Sequence, residues 1–199
     1  GELAAALAYW AARWQALPAP TGLRTAASFA DWVRALEGAA QGQRLAGWLI
    51  ADRAVNAAAS ADYAELAATA PPLEGWSEWV DWGAGLYARS GNFTVLHIIT
   101  GTRAARVMER WAGEPAAARE AFLRAAVAAA LASQLVVQAS TCVPADGFDW
   151  HTACAGAKAS DDEHVIKLIH ALHEMRGWDG PVADDKLRLA AAARALATA

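Results

Sequence analysis

Charge is scarce in this chain of 199 residues: charged residues make up 19 % of it and the formal net charge is −4. Without a basic excess there is no electrostatic footprint for a polyanion, so nucleic acid is not an expected partner. Cysteine is scarcer, with only Cys142 and Cys154. A disulfide framework is therefore not expected, and a reducing, cytoplasmic location is. The longest nearly apolar run, Ala125 to Val137, is broken by Ser133 and Gln134; it is too short to span a bilayer and reads as a buried core helix, so no membrane partner is expected. The opening GELAAALAYW lacks the basic start and cleavage pattern of a secretory signal. It also begins in mid-pattern without methionine, as a processed or subdivided piece would. No glycine-rich dinucleotide fingerprint is present, so any NADPH would bind without a Rossmann unit.

What is present is apolar and helical in pattern. Apolar residues reach 56 %, above the usual share, which calls for a deeply packed interior or a large contact with more protein. The length suits one sizeable domain. Alanine is abundant, and apolar residues recur at spacings of three and four, so the expected fold is all-α: a single helical bundle of about eight to nine helices over residues 1–199. A first helix is expected from Glu2 to Leu17, with Leu3, Leu7, Trp10 and Trp14 on one face and Pro18 after it. A second follows Ser28, where Ser-x-x-Asp31 resembles a capping box, and runs toward Gly42. A third covers Arg44 to Ala59, and a weaker one follows Asp62 and stops before Pro71 and Pro72. The next carries Trp76, Trp79 and Trp82 and ends at Gly91. Asn92 then caps a helix reaching Trp111, and Pro115 opens a long one reaching Gln138. Ser140 to Asp149 reads as a loop, Trp150 to Lys158 as a helical turn, and a last helix follows Pro181.

The stretch SDDEHVIKLIH, Ser160 to His170, sets three acidic residues ahead of a histidine and a lysine. Ser160 as N-cap and Glu163 three residues on complete a capping box, while Asp161 and Asp162 complement the helix dipole. That accounts for the carboxylates and leaves His164 and Lys167, neighbours at a spacing of three that are expected to share a face with Leu168 and Ala171. A neutral imidazole can offer one nitrogen to a metal while the other donates to an acceptor. A lysine buried near a cation can become a neutral amine, take up carbon dioxide and ligate as a carbamate. The alternative is a partly solvated helix with a satisfied histidine. His97, among Val95, Leu96, Ile98 and Ile99, has the same two readings, as a ligand or as a hydrogen-bonded core histidine. Gly101, four residues later, removes bulk from its face.

The pattern FTVLHIITGTRAARVM, followed some sixty residues later by a tryptophan, an alanine-rich turn and DDEHVIKL, resembles the C-terminal half of the questin oxidase-like family. ALAYWAARWQAL resembles the helix preceding that half. The resemblance is carried mainly by Phe93 to Arg106 and Asp162 to Leu168. It implies an all-helical oxygenase of secondary metabolism, acting with dioxygen on a polycyclic aromatic polyketide such as an anthraquinone, by ring cleavage or by insertion of oxygen beside a carbonyl. It also implies non-haem iron, with His97, His164 and Lys167 as metal-ligating and catalytic residues, Lys167 as a carbamate or as a cation beside the metal. Other family members are described as metal-free, NADPH-dependent Baeyer–Villiger oxygenases, in which Lys167 would polarise the substrate carbonyl. Two departures stand out. The family's N-terminal half, with two further histidine motifs, has no counterpart here, so the remaining ligands are expected from a missing N-terminal portion or a partner chain. Thr102-Arg103 replaces a pattern in which a histidine often precedes the alanine and arginine.

Ten tryptophans are several times the usual share. Trp76, Trp79, Trp82 and Trp150 are the candidates to line a flat aromatic substrate pocket, and Trp10, Trp14 and Trp48 are assigned to helix packing. His151 and Cys154 have a spacing that could serve zinc, but no four-ligand pattern accompanies them. A reading from another class is a non-catalytic helical subunit that binds an aromatic ligand.

Overall fold

In the computed structural model, residues 14–22, 28–73, 75–138, 142–179 and 185–198 are described, with Ala4, Ala5, Ala8 and Ala12 ahead of them. Those four alanines are helical, but the chain from Trp14 to Pro20 is not, so helix does not extend to Leu17. Leu3, Leu7 and Trp10 lie outside the described residues.

Serine, asparagine and aspartate side chains start five of the helices. Ser28 accepts from the Asp31 backbone and opens α1, Phe29–Ala40; Ser60 does the same for Tyr63 in α3, Ala61–Ala68. Asn92 accepts from Thr94 and Val95 in α5, Phe93–Glu109. Asp149 serves α7, Trp150–Ala159, and Asp162 serves α8, Glu163–Glu174. Each such cap satisfies a backbone donor that a helix start leaves open. Pro115 occupies the first turn of α6, Pro115–Ala132, where its missing N–H costs nothing.

Helix α4, Ser77–Ser90, uses a cap from far along the chain. The Asp179 carboxylate accepts from the backbone of Trp76 and, at 2.6 Å, of Ser77. The remaining helices are α2, Ile50–Ala58, and α9, Lys186–Ala197.

Two further expected boundaries move. Helix α2 starts at Ile50 rather than Arg44, because side chains capture the carbonyls a helix would use: Arg53 donates to Gly47 and Trp48, and Asn56 to Ala46. Helix α6 ends well before Gln138. Gln134 has φ of 53°, Leu135 forms an isolated bridge with Gln41, and the Ser133 carbonyl accepts from Asn92.

Among the described residues there is no strand, and the fold is all-α. One core is built by α1, α2, α3 and α6 around Trp32, Leu36, Tyr63, Val127 and Leu131. The other is built by α4, α5, α7, α8 and α9 around Tyr87, Ile99, Leu168, Leu172 and Ala192. Helix α5 packs against α4, α6 and α8, and the Trp82 ring contacts both cores. No helix of the described residues is long and apolar enough to cross a membrane.

Candidate histidine site

Helices α5 and α8 lie side by side and bring two imidazoles together. The His97 and His164 ring centroids are 5.6 Å apart, and Phe93 lies 4.5 Å from the first and 4.8 Å from the second. Asn92 fixes the start of α5, and Asp162 the start of α8. Each pairing residue therefore sits in the first or second turn of a capped helix.

Both rings are held by the same nitrogen. His97 Nδ1 donates to the Phe93 carbonyl at 2.8 Å. His164 Nδ1 faces the Asp162 carboxylate at 3.3 Å, and Asp162 also accepts from the His164 backbone at 2.8 Å. Carbonyl and carboxylate oxygens only accept, so the neutral tautomer that fits both partners carries its proton on Nδ1 and leaves the Nε2 lone pair available. This is the arrangement in which an outer acceptor orients a metal-ligating imidazole. The backbone N–H of His164 holds the Asp162 carboxyl below the usual carboxylate range, with the His164 ring adding to the effect. His97 is exposed and His164 half-buried.

Lys167 is elsewhere. Its side chain is 59 % exposed, and its ammonium donates to Glu163 at 2.7 Å. That ammonium in turn lowers the Glu163 carboxyl below its ordinary range. The expected buried face shared with Leu168 and Ala171 is thus corrected. The apolar stripe of α8 is Val165, Leu168, Ile169, Ala171 and Leu172; His164 lies at its rim, and a step of three residues turns back about 60° toward solvent. The expected capping box is corrected too. Asp162 is the N-cap, the Ser160 hydroxyl accepts from the Asp162 backbone, and Glu163 is engaged with Lys167.

The tryptophans separate into three environments. Trp76 and Trp79 are 2 % and 0 % exposed and present no surface to a ligand. Trp79 is the hub of an aromatic cluster with Trp82, Phe122, Trp32 and Phe29, at centroid distances of 4.5, 5.8, 5.9 and 6.2 Å. Trp76 donates to the buried Glu109, which also accepts from Arg106 and Arg119. Trp82, partly buried, donates at 2.9 Å to Glu37, itself paired with Arg89. Trp150 lies under the Arg176 guanidinium and donates to Asp185, with His173 5.3 Å from its ring. None of these four contacts the histidine pair, and Trp14 and Trp48, expected in helix packing, are 64 % and 92 % exposed. Cys142 and Cys154 are free thiols.

Phe93 and Asp162 are the two contributors that residue-type reasoning passed over. Asp162 reads in sequence only as a carboxylate complementing the helix dipole; its place two residues before a histidine is the signal that could have found it. Phe93 carried no signal of its own, because an aromatic residue at a helix start is ordinarily core.

As a place for iron, the pair fits in part. Two imidazoles with oriented tautomers suit a first-row metal, while Lys167 is engaged away from them. Among the described residues no group of three or more histidine, cysteine, aspartate or glutamate side chains is arranged to hold a metal ion. In comparisons with protein-family models, curated proteins and solved structures, nothing matches this chain.

Proposed function

We propose that this chain is the histidine-bearing helical part of an oxygenase acting on a polycyclic aromatic polyketide such as an anthraquinone, with non-haem iron held at His97 and His164. The observation that carries the reading is the pair itself. Two imidazoles far apart in sequence meet on neighbouring helices, each with Nδ1 engaged and Nε2 available. Bound iron would supply the redox chemistry that activates dioxygen. The chain's own residues bind and orient: the Phe93 carbonyl and Asp162 hold the two rings, and the half-exposed Phe93 ring offers a flat aromatic surface beside them. The ligands beyond these two come from further polypeptide, as the resemblance of the motifs implies.

Anaerobic titration of the chain with Fe(II), read by metal analysis after desalting, tests this. His97→Ala and His164→Ala should each lower iron retention at least about tenfold, in line with the cost of disturbing a ligand set. Stoichiometric iron kept by either variant refutes the assignment.

The second reading is a metal-free, NADPH-dependent Baeyer–Villiger oxygenase, and one observation favours it: Lys167 stands as an ammonium ion-paired with Glu163, suited to polarising a carbonyl rather than to forming a carbamate. Turnover of an anthraquinone with NADPH that survives exhaustive chelation and is lost in Lys167→Met would select this reading over the first.

A further inference from the structure

A cleft of about 630 Å³ opens between the end of α3, the segment 70–73 and the side of α6, a volume in the range of small-molecule sites. Its origin is local. Pro71 and Pro72 cannot continue a helix and offer no N–H, so α3 ends at Ala68 and the segment 70–73 runs beside α6 outside any helix. Arg119 of α6 donates to the Leu73 carbonyl at 2.9 Å and pins the far end of the segment. The walls are apolar: Pro71, Pro72 and Leu73 on one side, Ala116, Leu123 and Val127 on the other. Neither histidine of the pair lines it.

The charged side chains lining the cleft are Arg119, Arg124 and Glu120, two cations against one anion. Arg119 is committed to Glu109 and Leu73. Arg124 is not. Its side chain is only 24 % exposed, yet among the described residues its one hydrogen bond is from Nη1 to Glu120, a carboxylate that is 58 % exposed. The remaining N–H groups of that guanidinium are free for a further acceptor, and arginine presents them as a fork matched to a carboxylate. Helix α6 adds the same sign, since its positive end carries no side-chain cap at Glu114 and Pro115 and Ala116 line the cleft.

We infer that this cleft binds an amphipathic monoanion, a small apolar body bearing one carboxylate, with the body between the prolines and Leu123 and the carboxylate on Arg124. The site is separate from the histidine pair and does not rest on the oxygenase reading.

Isothermal titration of the full chain with decanoate, and with 1-decanol as the neutral counterpart, provides the test. Decanoate should bind with 1:1 stoichiometry and about tenfold more tightly than 1-decanol, the order expected of a charge-assisted pair. Arg124→Gln should weaken decanoate about tenfold and leave 1-decanol unchanged. Ala116→Trp, which adds bulk at an exposed lining position without touching the core, should remove binding of both. Circular dichroism melts of both variants confirm that they fold, and His97→Ala should bind decanoate as the unaltered chain does. Absence of saturable decanoate binding, equal affinity in Arg124→Gln, or binding unaffected by Ala116→Trp overturns the inference.

Discussion

Replacing Asp81 by alanine strips a buried guanidinium of its charge partner. Arg188 is 2 % exposed; its Nε donates to Asp81 at 2.6 Å and its Nη1 to the Met175 carbonyl at 3.0 Å. Breaking a fully buried ion pair by removing one partner costs about 3–5 kcal/mol, because the other charge is left uncompensated. Here the Asp81 side chain is 38 % exposed, so water can reach the vacated position, and the expected cost is about 2–3 kcal/mol. Arg188→Met behaves differently. It keeps an apolar stem of similar length in the core and leaves Asp81 able to solvate, so it should fall within about 1 kcal/mol of the unaltered chain. In the Arg188→Met background, Asp81→Ala should then cost almost nothing, giving a coupling of about 2 kcal/mol. Urea denaturation followed by far-ultraviolet circular dichroism measures all four corners of the cycle, with unchanged m-values as the check on comparability. Equal cost of Asp81→Ala in both backgrounds would refute the reasoning.

Gly101→Ala should raise stability by about 0.5–1 kcal/mol, since Gly101 is helical and a Cβ there meets nothing within 4 Å. Gly91→Ala should lower it by about 1–2 kcal/mol, because Gly91 has φ of 60° at the end of α4 and a Cβ would press on Arg194; thermal melts of the pair should move in opposite directions. Trp79→Ala should cost about 3–5 kcal/mol, the usual range for emptying a fully buried aromatic site, measured by urea titration. Hydrogen bonds from the Thr152 and His164 backbones hold the Asp149 and Asp162 carboxyls below their ordinary range. A carboxyl depressed in the folded state contributes stability that is present above its unfolded value, near 4, and is lost as the pH falls through the lower folded value. Asp149→Asn with Asp162→Asn keeps the caps and removes the titration, so the decline in unfolding free energy below about pH 4 should become shallower; an unchanged slope would contradict the assignment.

The helices were legible where backbone and side-chain signals agreed. Ser28, Asn92 and Pro115 start helices where their residue types say they should, and Gly91 ends one in the left-handed conformation that favours glycine. Boundaries failed where side chains outside the capping pattern took backbone carbonyls. Nothing local marks the Gly47 and Trp48 carbonyls as belonging to Arg53, or the Ser133 carbonyl as belonging to Asn92, yet those bonds decide where α2 begins and where α6 ends. Asp179 is the same kind of case. A cap that lies about a hundred residues from the helix it serves is invisible to any window along the chain.

The histidine site divides along a similar line, and helical geometry explains how. His164 was readable as a face residue because the step of four to Leu168 advances about 40° into the apolar stripe and keeps the imidazole at its rim. The step of three to Lys167 falls back about 60° from His164, away from that stripe, and delivers the amine to Glu163 and water. Treating spacings of three and four as equivalent neighbours holds for contact between two side chains, which is why His164 and Lys167 seemed a natural pair. It does not hold for burial, where the two steps have opposite sign about a residue at the edge of the stripe. Of the positions three and four along, only the latter goes under beside His164, and in this chain that position is Leu168, fully buried. A second nitrogen beside His164 therefore has to arrive from a different helix, as His97 does across the α5 and α8 contact.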